Sequence, residues 1–315
     1  MNFNKNWQVI MWGHSIEHGS THTHRYIQNS FAKAFRYLGI NTYSSADVQD
    51  PHFDYSNTLF IGEWQEMNNV PIRDDCFYIL HNCSGGKWQN LYDKKLAMRL
   101  SVYSDEILEY NFIKKDECIF YDLETQNLSM PWATDLLPFE IEQNKPANIW
   151  NSKSNVINWV GTVGAGGGGN IIQINPFVEA CKSNNVFFKN SMHVKFSKSI
   201  TLIKQSYCAP VISGTEQCRI KYIPCRLFKN ISYGMFPLVN HERMNTLFNN
   251  KLIYNPDTYK LFYDAKEKLP EITLDQMHDL MDEVKNKHTY INRIENILEF
   301  AALINPNLLG EMLIL

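Results

Sequence analysis

The first third of the chain sets short apolar runs between polar turns. Residues 8–12 form one such run, closed by Gly13, and residues 40–43, 58–61 and 76–81 repeat it. Runs of this length, apolar at consecutive positions, suit strands of a parallel sheet covered on both faces. Residues 23–38 follow a different period: Ile27, Phe31, Ala34, Phe35 and Leu38 fall on one helical face, and Gly39 closes the segment. Residues 94–103 read as a further helix and 117–121 as a further strand. The alternation predicts an α/β domain of βαβ type over residues 1–145.

Residues 138–154, rich in Asn, Lys, Pro and Glu and without clear period, read as an inter-domain linker. The alternation then restarts. Strands are expected at 156–163, 186–189, 209–213 and 236–239, and helices at 175–183, 197–205 and 224–233. These build a second α/β domain over residues 146–290. The tail is helical at 274–287 and 290–303, where Ile291, Ile294, Ile297, Leu298 and Ala301 share a stripe. Residues 291–315 form a closing helix and tail, expected to pack back towards the N-terminal domain. Two similar α/β halves around a linker are expected to face each other across a cleft, where ligands of such folds bind.

A length of 315 residues suits two medium domains. The chain carries 30 Lys and Arg against 33 Asp and Glu, a formal charge of −3, which excludes the basic footprint of a nucleic-acid binder. The 7 cysteines are widely spaced with no CxxC pair, so neither a zinc ribbon nor a dithiol site is expected. A reduced, cytoplasmic setting follows. The N-terminal residues 1–8 are polar, unlike a signal peptide, and no apolar run reaches membrane-spanning length.

Candidate chemistry concentrates at residues 222–240. Pro224 suits the first position of a short helix, and Gly234 suits the residue after its end. Arg226 and Lys229, three apart, share a face near the positive N-terminal end of that helix. Cations are misplaced there unless an anion docks between them, and a diphosphate is the natural anion. Two solvated surface cations remain the plain alternative.

The same residues carry a resemblance. Arg226-Leu-Phe-Lys229, then Asn230-Ile-Ser-Tyr-Gly234 and a strand, resembles the signature of GT-B glycosyltransferases, an Arg-x-Phe-Glu element opening a small-residue helix that ends in Gly. The pattern is similar to that of bacterial group-1-like and CgeB-like glycosyltransferases. Pro131-Trp-Ala-Thr-Asp-Leu-Leu-Pro138 is similar to the segment ending the N-terminal domain in that group, and residues 288–300 are similar to its closing helix. The resemblance implies two Rossmann-like domains, a nucleotide-sugar donor of UDP or GDP type held by the C-terminal one, and a sugar or glycan acceptor on the N-terminal side. Lys229 stands where many retaining members place a Glu for sugar or ribose hydroxyls. Lysine cannot accept those hydrogen bonds but can neutralise a phosphate, which favours inverting chemistry.

Other positions are candidates for the same site. Gly161 and Gly164 belong to a glycine-rich turn whose backbone N–H groups could approach phosphates, and which in the family meets donor or acceptor; it is neither a dinucleotide fingerprint nor a P-loop. Ser213, Gly214, Thr215 and Gln217 follow a strand and are candidates for base or phosphate contact, as is Tyr222. Asn230 lies on the Arg226 helix, and Glu242 ends the next strand, where it suits a ribose diol. His81, Asn82 and residues 84–86 end an N-domain strand and are candidates for shaping the acceptor pocket, whereas Asp135 reads as structural. His14, His18, His22 and His24 lie in and just after the first loop. Gly13 and Gly19 break any helix that would align a metal pair, and no HExxH occurs, so no metal site is expected. Inverting transfer needs a base for the acceptor hydroxyl, and His14, Glu17 or His18 are the candidates.

The expected function is transfer of a hexosyl or deoxyhexosyl group from a nucleoside-diphosphate sugar to a glycan or polysaccharide acceptor, without metal or other cofactor. The competing readings are a nucleotide-sugar epimerase on the same fold, which needs acid/base pairs that the sequence does not show, and a non-catalytic sugar- or nucleotide-binding partner protein.

Overall fold

A computed structural model describes residues 2–3, 6–13, 23–83, 85–103, 113–146, 154–164, 169–192, 194–309 and 313–314. Its contacts divide the chain into two units, Met1–Pro131 with Tyr290–Leu315, and Trp132–Thr289.

The first unit is built on an eight-stranded sheet. Gln8–Trp12 pairs in parallel with Asn41–Ser44 on one side and Thr58–Glu63 on the other; Phe77–His81, Ala97–Ser101 and Asn127–Ser129 extend the parallel run. Ile119–Asp122 and Ile113–Asp116 complete it antiparallel. The central strands are apolar at successive positions because both faces are covered: Phe77–His81 is buried throughout, and Thr58–Glu63 at all but its last residue. Phe60 stacks on Tyr78 at 5.2 Å and 6°, within a core that includes Ile10, Leu80 and Trp88.

The helix Thr23–Tyr37 buries Ile27, Phe31, Ala34 and Phe35 of the expected stripe, while Leu38, its last member, lies past the helix end and is half-buried. The closing helix Tyr290–Ile304 belongs to this unit, as anticipated, with Tyr290 against Phe31 at 4.5 Å. Arg293 on that helix is fully buried and donates to the Pro131 carbonyl at 2.7 Å.

Residues 94–103 correct the sequence reading. Ala97–Ser101 is an interior strand, and the helix is the preceding Gly86–Asp93, which buries Trp88, Leu91 and Tyr92. Five mixed residues cannot display a period, and pairing on both sides decides the conformation. Arg99, the exposed residue of this strand, lies over the Tyr92 ring at 4.8 Å.

The second unit has parallel strands throughout its described sheets: Val156–Val160 with Phe187–Ser191, and Ala209–Val211, Pro237–Val239 and Ile253–Tyr254 in that order. Tyr207 N–H donates to the Val156 carbonyl at 2.7 Å, joining the two sets. Helices Ile171–Ser183, Phe196–Lys204, Cys225–Ser232 and Thr258–Lys268 alternate with the strands. Both units are therefore mixed α/β with parallel sheets, the class read from the sequence.

The unit boundary falls at 131/132 rather than 145/146. The stretch expected as a linker opens as the helix Pro138–Gln143, with the Glu140 carboxylate accepting from Leu137 N–H at 2.7 Å. Two buried contacts tie the preceding residues into the second unit: Thr134 and Ser232 hydroxyls at 2.6 Å, and the Tyr233 hydroxyl donating to the Asp135 carboxylate at 2.6 Å. Glu142 pairs with Lys145 at 3.0 Å and with Lys285. Among the described residues no helix is long and apolar enough to cross a membrane.

Asp135 and Tyr233 are both buried, so Tyr233→Phe removes a charge-assisted donor from the interior. Urea unfolding is expected to show a loss of about 2 kcal/mol; a change below about 0.5 kcal/mol, the scale of an ordinary surface substitution, would contradict this role.

Candidate functional site

In a parallel sheet all strands end on one edge, and in the second unit the candidate residues gather there. Gly161 follows Val160, Ser213 and Gly214 follow the strand Ala209–Val211, and Asn240 and Glu242 follow Pro237–Val239. Hydrogen bonds lock these ends together. Asn240 accepts from Ser213 N–H at 2.8 Å and its amide donates to the Ser213 carbonyl at 2.9 Å. Asn170 donates to the Ile212 carbonyl at 3.1 Å and accepts from Gly164 N–H at 3.2 Å. Gly214 is required by space: a methyl there would lie 2.0 Å from the Gly169 carbonyl oxygen.

Arg226 occupies the first turn of the helix Cys225–Ser232 and is half-buried. Its guanidinium carbon lies 3.7 Å from the centre of the Trp159 ring. Among the described residues it makes no ion pair or hydrogen bond. Burial lowers its pKa to about 10, partly offset by the neighbouring Cys225 and Tyr222. Removing an ion from water costs several kcal/mol after relaxation, whereas a desolvated cation–π contact returns about 2 kcal/mol. The residue is only partly withdrawn from water, and an anion at its N–H edge would stabilise the charge further.

Gly161 completes the arrangement. Its φ is +122°, where side chains are strained, and a Cβ would stand 2.9 Å from Arg226 Nη2. The guanidinium thus passes close to where a side chain at position 161 would begin.

The other candidates separate into groups. Gly164, Ser213 and Gly214 line the same edge, and the Ser213 hydroxyl oxygen is buried with no hydrogen-bond partner among the described residues. Thr215 accepts from Gln173 at 2.6 Å, and Gln217 accepts from Gly214 N–H at 3.0 Å, so Gln217 caps its own short helix. Tyr222 is half-buried within electrostatic reach of Arg226. Glu242 is exposed at the start of the helix Glu242–Leu247.

Three expectations for this helix need correction. Pro224 is the N-cap, with extended backbone at ψ 142°, and not the first helical residue. Lys229 therefore sits in the last turn, 5.8 Å from the Tyr233 ring, where the helix dipole favours a cation; only Arg226 stands at the N-terminal end. Asn230 is buried and donates to the Ala209 carbonyl at 3.2 Å. Ala209 begins its strand, so Asn230 works at the opposite end of the sheet from Ser213.

Trp159 and His241 lie among these residues and were not singled out from the sequence. An aromatic at the end of a strand run reads as core, and only its neighbour Gly161 hints at another use. His241 is half-buried beside Asn240, with Nδ1 buried and no hydrogen-bond partner to it among the described residues.

In the first unit, His14, Glu17 and His18 lie outside the described residues, as does His22, together with the side chain of His24. His81 Nδ1 is 2.8 Å from the Leu100 carbonyl, which can only accept; Nδ1 therefore carries the proton and Nε2 accepts from Asn82 at 3.1 Å. A cavity of about 390 Å³ opens at the ends of Gln8–Trp12 and Asn41–Ser44, lined by Trp12, Ser45, Gln49, Asp50, Tyr55 and Asn69 among others.

No protein-family model and no curated protein matches the chain. Among solved structures it is similar to T4 phage BGT in complex with UDP and Mn2+, at 10% identity over 95% of this chain and 99% of that one, with a TM-score of 0.48. A T4 phage β-glucosyltransferase structure, described for substrate binding and a proposed catalytic mechanism, gives 11% identity, the same coverage and a TM-score of 0.48. The apo structure of OtsA gives 9% identity over 90% and 77% of the two chains, with a TM-score of 0.39. Likeness at this level carries no functional weight, and the reading of the site rests on this chain's own residues.

Burial, and next the positive charge of Arg243, lower the His241 pKa from its ordinary 6.5. The unfolded chain binds this proton at the ordinary value, the folded chain only at lower pH. The stability of the neutral ring is thus present above the ordinary pKa and lost as pH falls through the depressed one. In His241→Gln the loss of unfolding free energy between neutral pH and about pH 5 should be smaller than in the parent; parallel curves would contradict the assignment.

Proposed function

We propose that the chain is a glycosyltransferase of GT-B type that takes its sugar from a nucleoside-diphosphate donor of UDP or GDP type. The observation that carries this reading is Arg226, a half-buried guanidinium at the strand ends of the second unit with no carboxylate partner among the described residues. Such a cation suits an anionic ligand, and the surrounding backbone at Gly161, Gly164, Ser213 and Gly214 allows close approach of phosphate oxygens. The resemblance of residues 226–234 to the glycosyltransferase signature, with Lys229 in place of its Glu, supports the same ligand.

In the proposed reaction an acceptor hydroxyl attacks the anomeric carbon of the donor sugar. The bond from that carbon to the diphosphate oxygen breaks, and the electron pair leaves with the nucleoside diphosphate. Arg226 takes up the charge developing on the leaving group, with no need of a metal ion for that step. The hydroxyl proton passes to a base, for which His14, Glu17 and His18 are the candidates, and a single displacement inverts the anomeric configuration. The acceptor is a glycan: the cavity of the first unit combines the aromatic rings of Trp12 and Tyr55 with Asp50, Gln49 and Asn69, groups suited to a neutral polyhydroxylated ring.

A ligand of the folded state raises the melting temperature by mass action. UDP, GDP or dTDP at millimolar concentration should raise it, and Arg226→Ala should abolish the rise while leaving the unliganded melting temperature near that of the parent. Failure of every nucleoside diphosphate to shift the parent would sink the reading.

A further inference from the structure

We propose that Trp159 is the positioning residue of the diphosphate clamp, a fixed aromatic shelf that holds the Arg226 guanidinium across Gly161 before any ligand arrives. The inference rests on the donor reading of this site and adds to it a residue whose position in the sequence suggests only core packing.

The shelf is rigid where the arginine is not. Trp159 is 2% exposed and lies in the strand Val156–Val160, in register with Asn190 of the neighbouring strand. Its indole N–H donates to the Thr162 carbonyl at 3.3 Å, and its ring packs against Phe188 at 6.0 Å. Arg226 reaches this ring from the first turn of another element, with 3.7 Å between its guanidinium carbon and the ring centre. A long charged side chain loses rotamer freedom when a ligand orders it. Here the ordering precedes the ligand.

The stacked contact also fits the chemistry. The quadrupole of an indole attracts a cation lying over its face without competing for the N–H groups at the cation's edge. A carboxylate in the same place would occupy those donors and would have to be displaced by phosphate. Trp159 stabilises the charge and leaves the donors available, and Gly161 leaves the guanidinium room. This accounts for a half-buried arginine beside an aromatic ring where a stability-driven site would place an acid.

The test is titration calorimetry with UDP and GDP on the parent, Trp159→Phe, Trp159→Met, Arg226→Gln and the Trp159→Met/Arg226→Gln pair. Trp159→Phe keeps an aromatic face and should bind within about threefold of the parent, while Trp159→Met keeps an apolar side chain without the aromatic face and should bind about tenfold more weakly. On the Arg226→Gln background the Met substitution should have little further effect, because its effect runs through the guanidinium. A purely structural tryptophan predicts otherwise: Phe and Met variants would differ in melting temperature but not in affinity, or Met would weaken both backgrounds equally. Either result overturns the proposal. Should the Met variants not fold, the Arg226 Nε–H NMR resonance, assigned by its loss in Arg226→Gln, decides. Ring current should place it away from the ordinary arginine position and Trp159→Phe should move it; an ordinary position in the parent overturns the inference. If the parent binds neither UDP nor GDP, the donor reading itself fails, and that outcome is distinct from binding that ignores Trp159.

Discussion

The organising constraint of the second unit is a guanidinium withdrawn from water without an acid to meet it. Arg226 is stabilised by one aromatic ring, and its pKa falls because burial outweighs what its neighbours return. Buried charge without a counterion costs more than a cation–π contact supplies. Several local features surround it. Gly161 adopts a conformation other residues avoid, Asn240 and Asn170 clamp the strand ends in place, and Gly214 leaves room for the Gly169 carbonyl. The guanidinium is left without a carboxylate among the described residues, which is what the proposed anion site requires.

The architecture was legible because burial on both faces forces consecutive apolar residues. Residues 8–12, 58–61 and 76–81 show this pattern, and each lies within or overlaps a strand of the large sheet. The stripe of the helix Thr23–Tyr37 was equally readable. Residues 94–103 were not, since a short interior strand is set by its partners and not by its own period. The role of residues 132–143 was hidden for a related reason: Thr134 and Asp135 are polar, and only their long-range bonds to Ser232 and Tyr233 assign them to the second unit.

The residues gathered at the strand ends of the second unit were half legible. Arg226, Gly161, Ser213 and Gly214 could be named because cations at a helix start and glycines after strands carry local signals. Lys229 and Asn230 were grouped with Arg226 by proximity along the chain. A helix of eight residues, however, carries its two ends to opposite edges of the sheet, so Asn230 meets the Ala209 carbonyl and Lys229 the Tyr233 ring. Trp159 is the converse case, distant in sequence and in contact in space. In the first unit, His81 shows how a histidine at a strand end can be held by its hydrogen bonds, with Nδ1 on the Leu100 carbonyl and Nε2 beside the Asn82 amide.

The decisive property is anion binding at Arg226. Phosphorus NMR of UDP or GDP titrated with the protein reads this at the phosphate itself. The account predicts that the diphosphate resonances shift and broaden with the parent and stay at their free positions with folded Arg226→Gln at the same concentration. Resonances that respond equally to both proteins would contradict it.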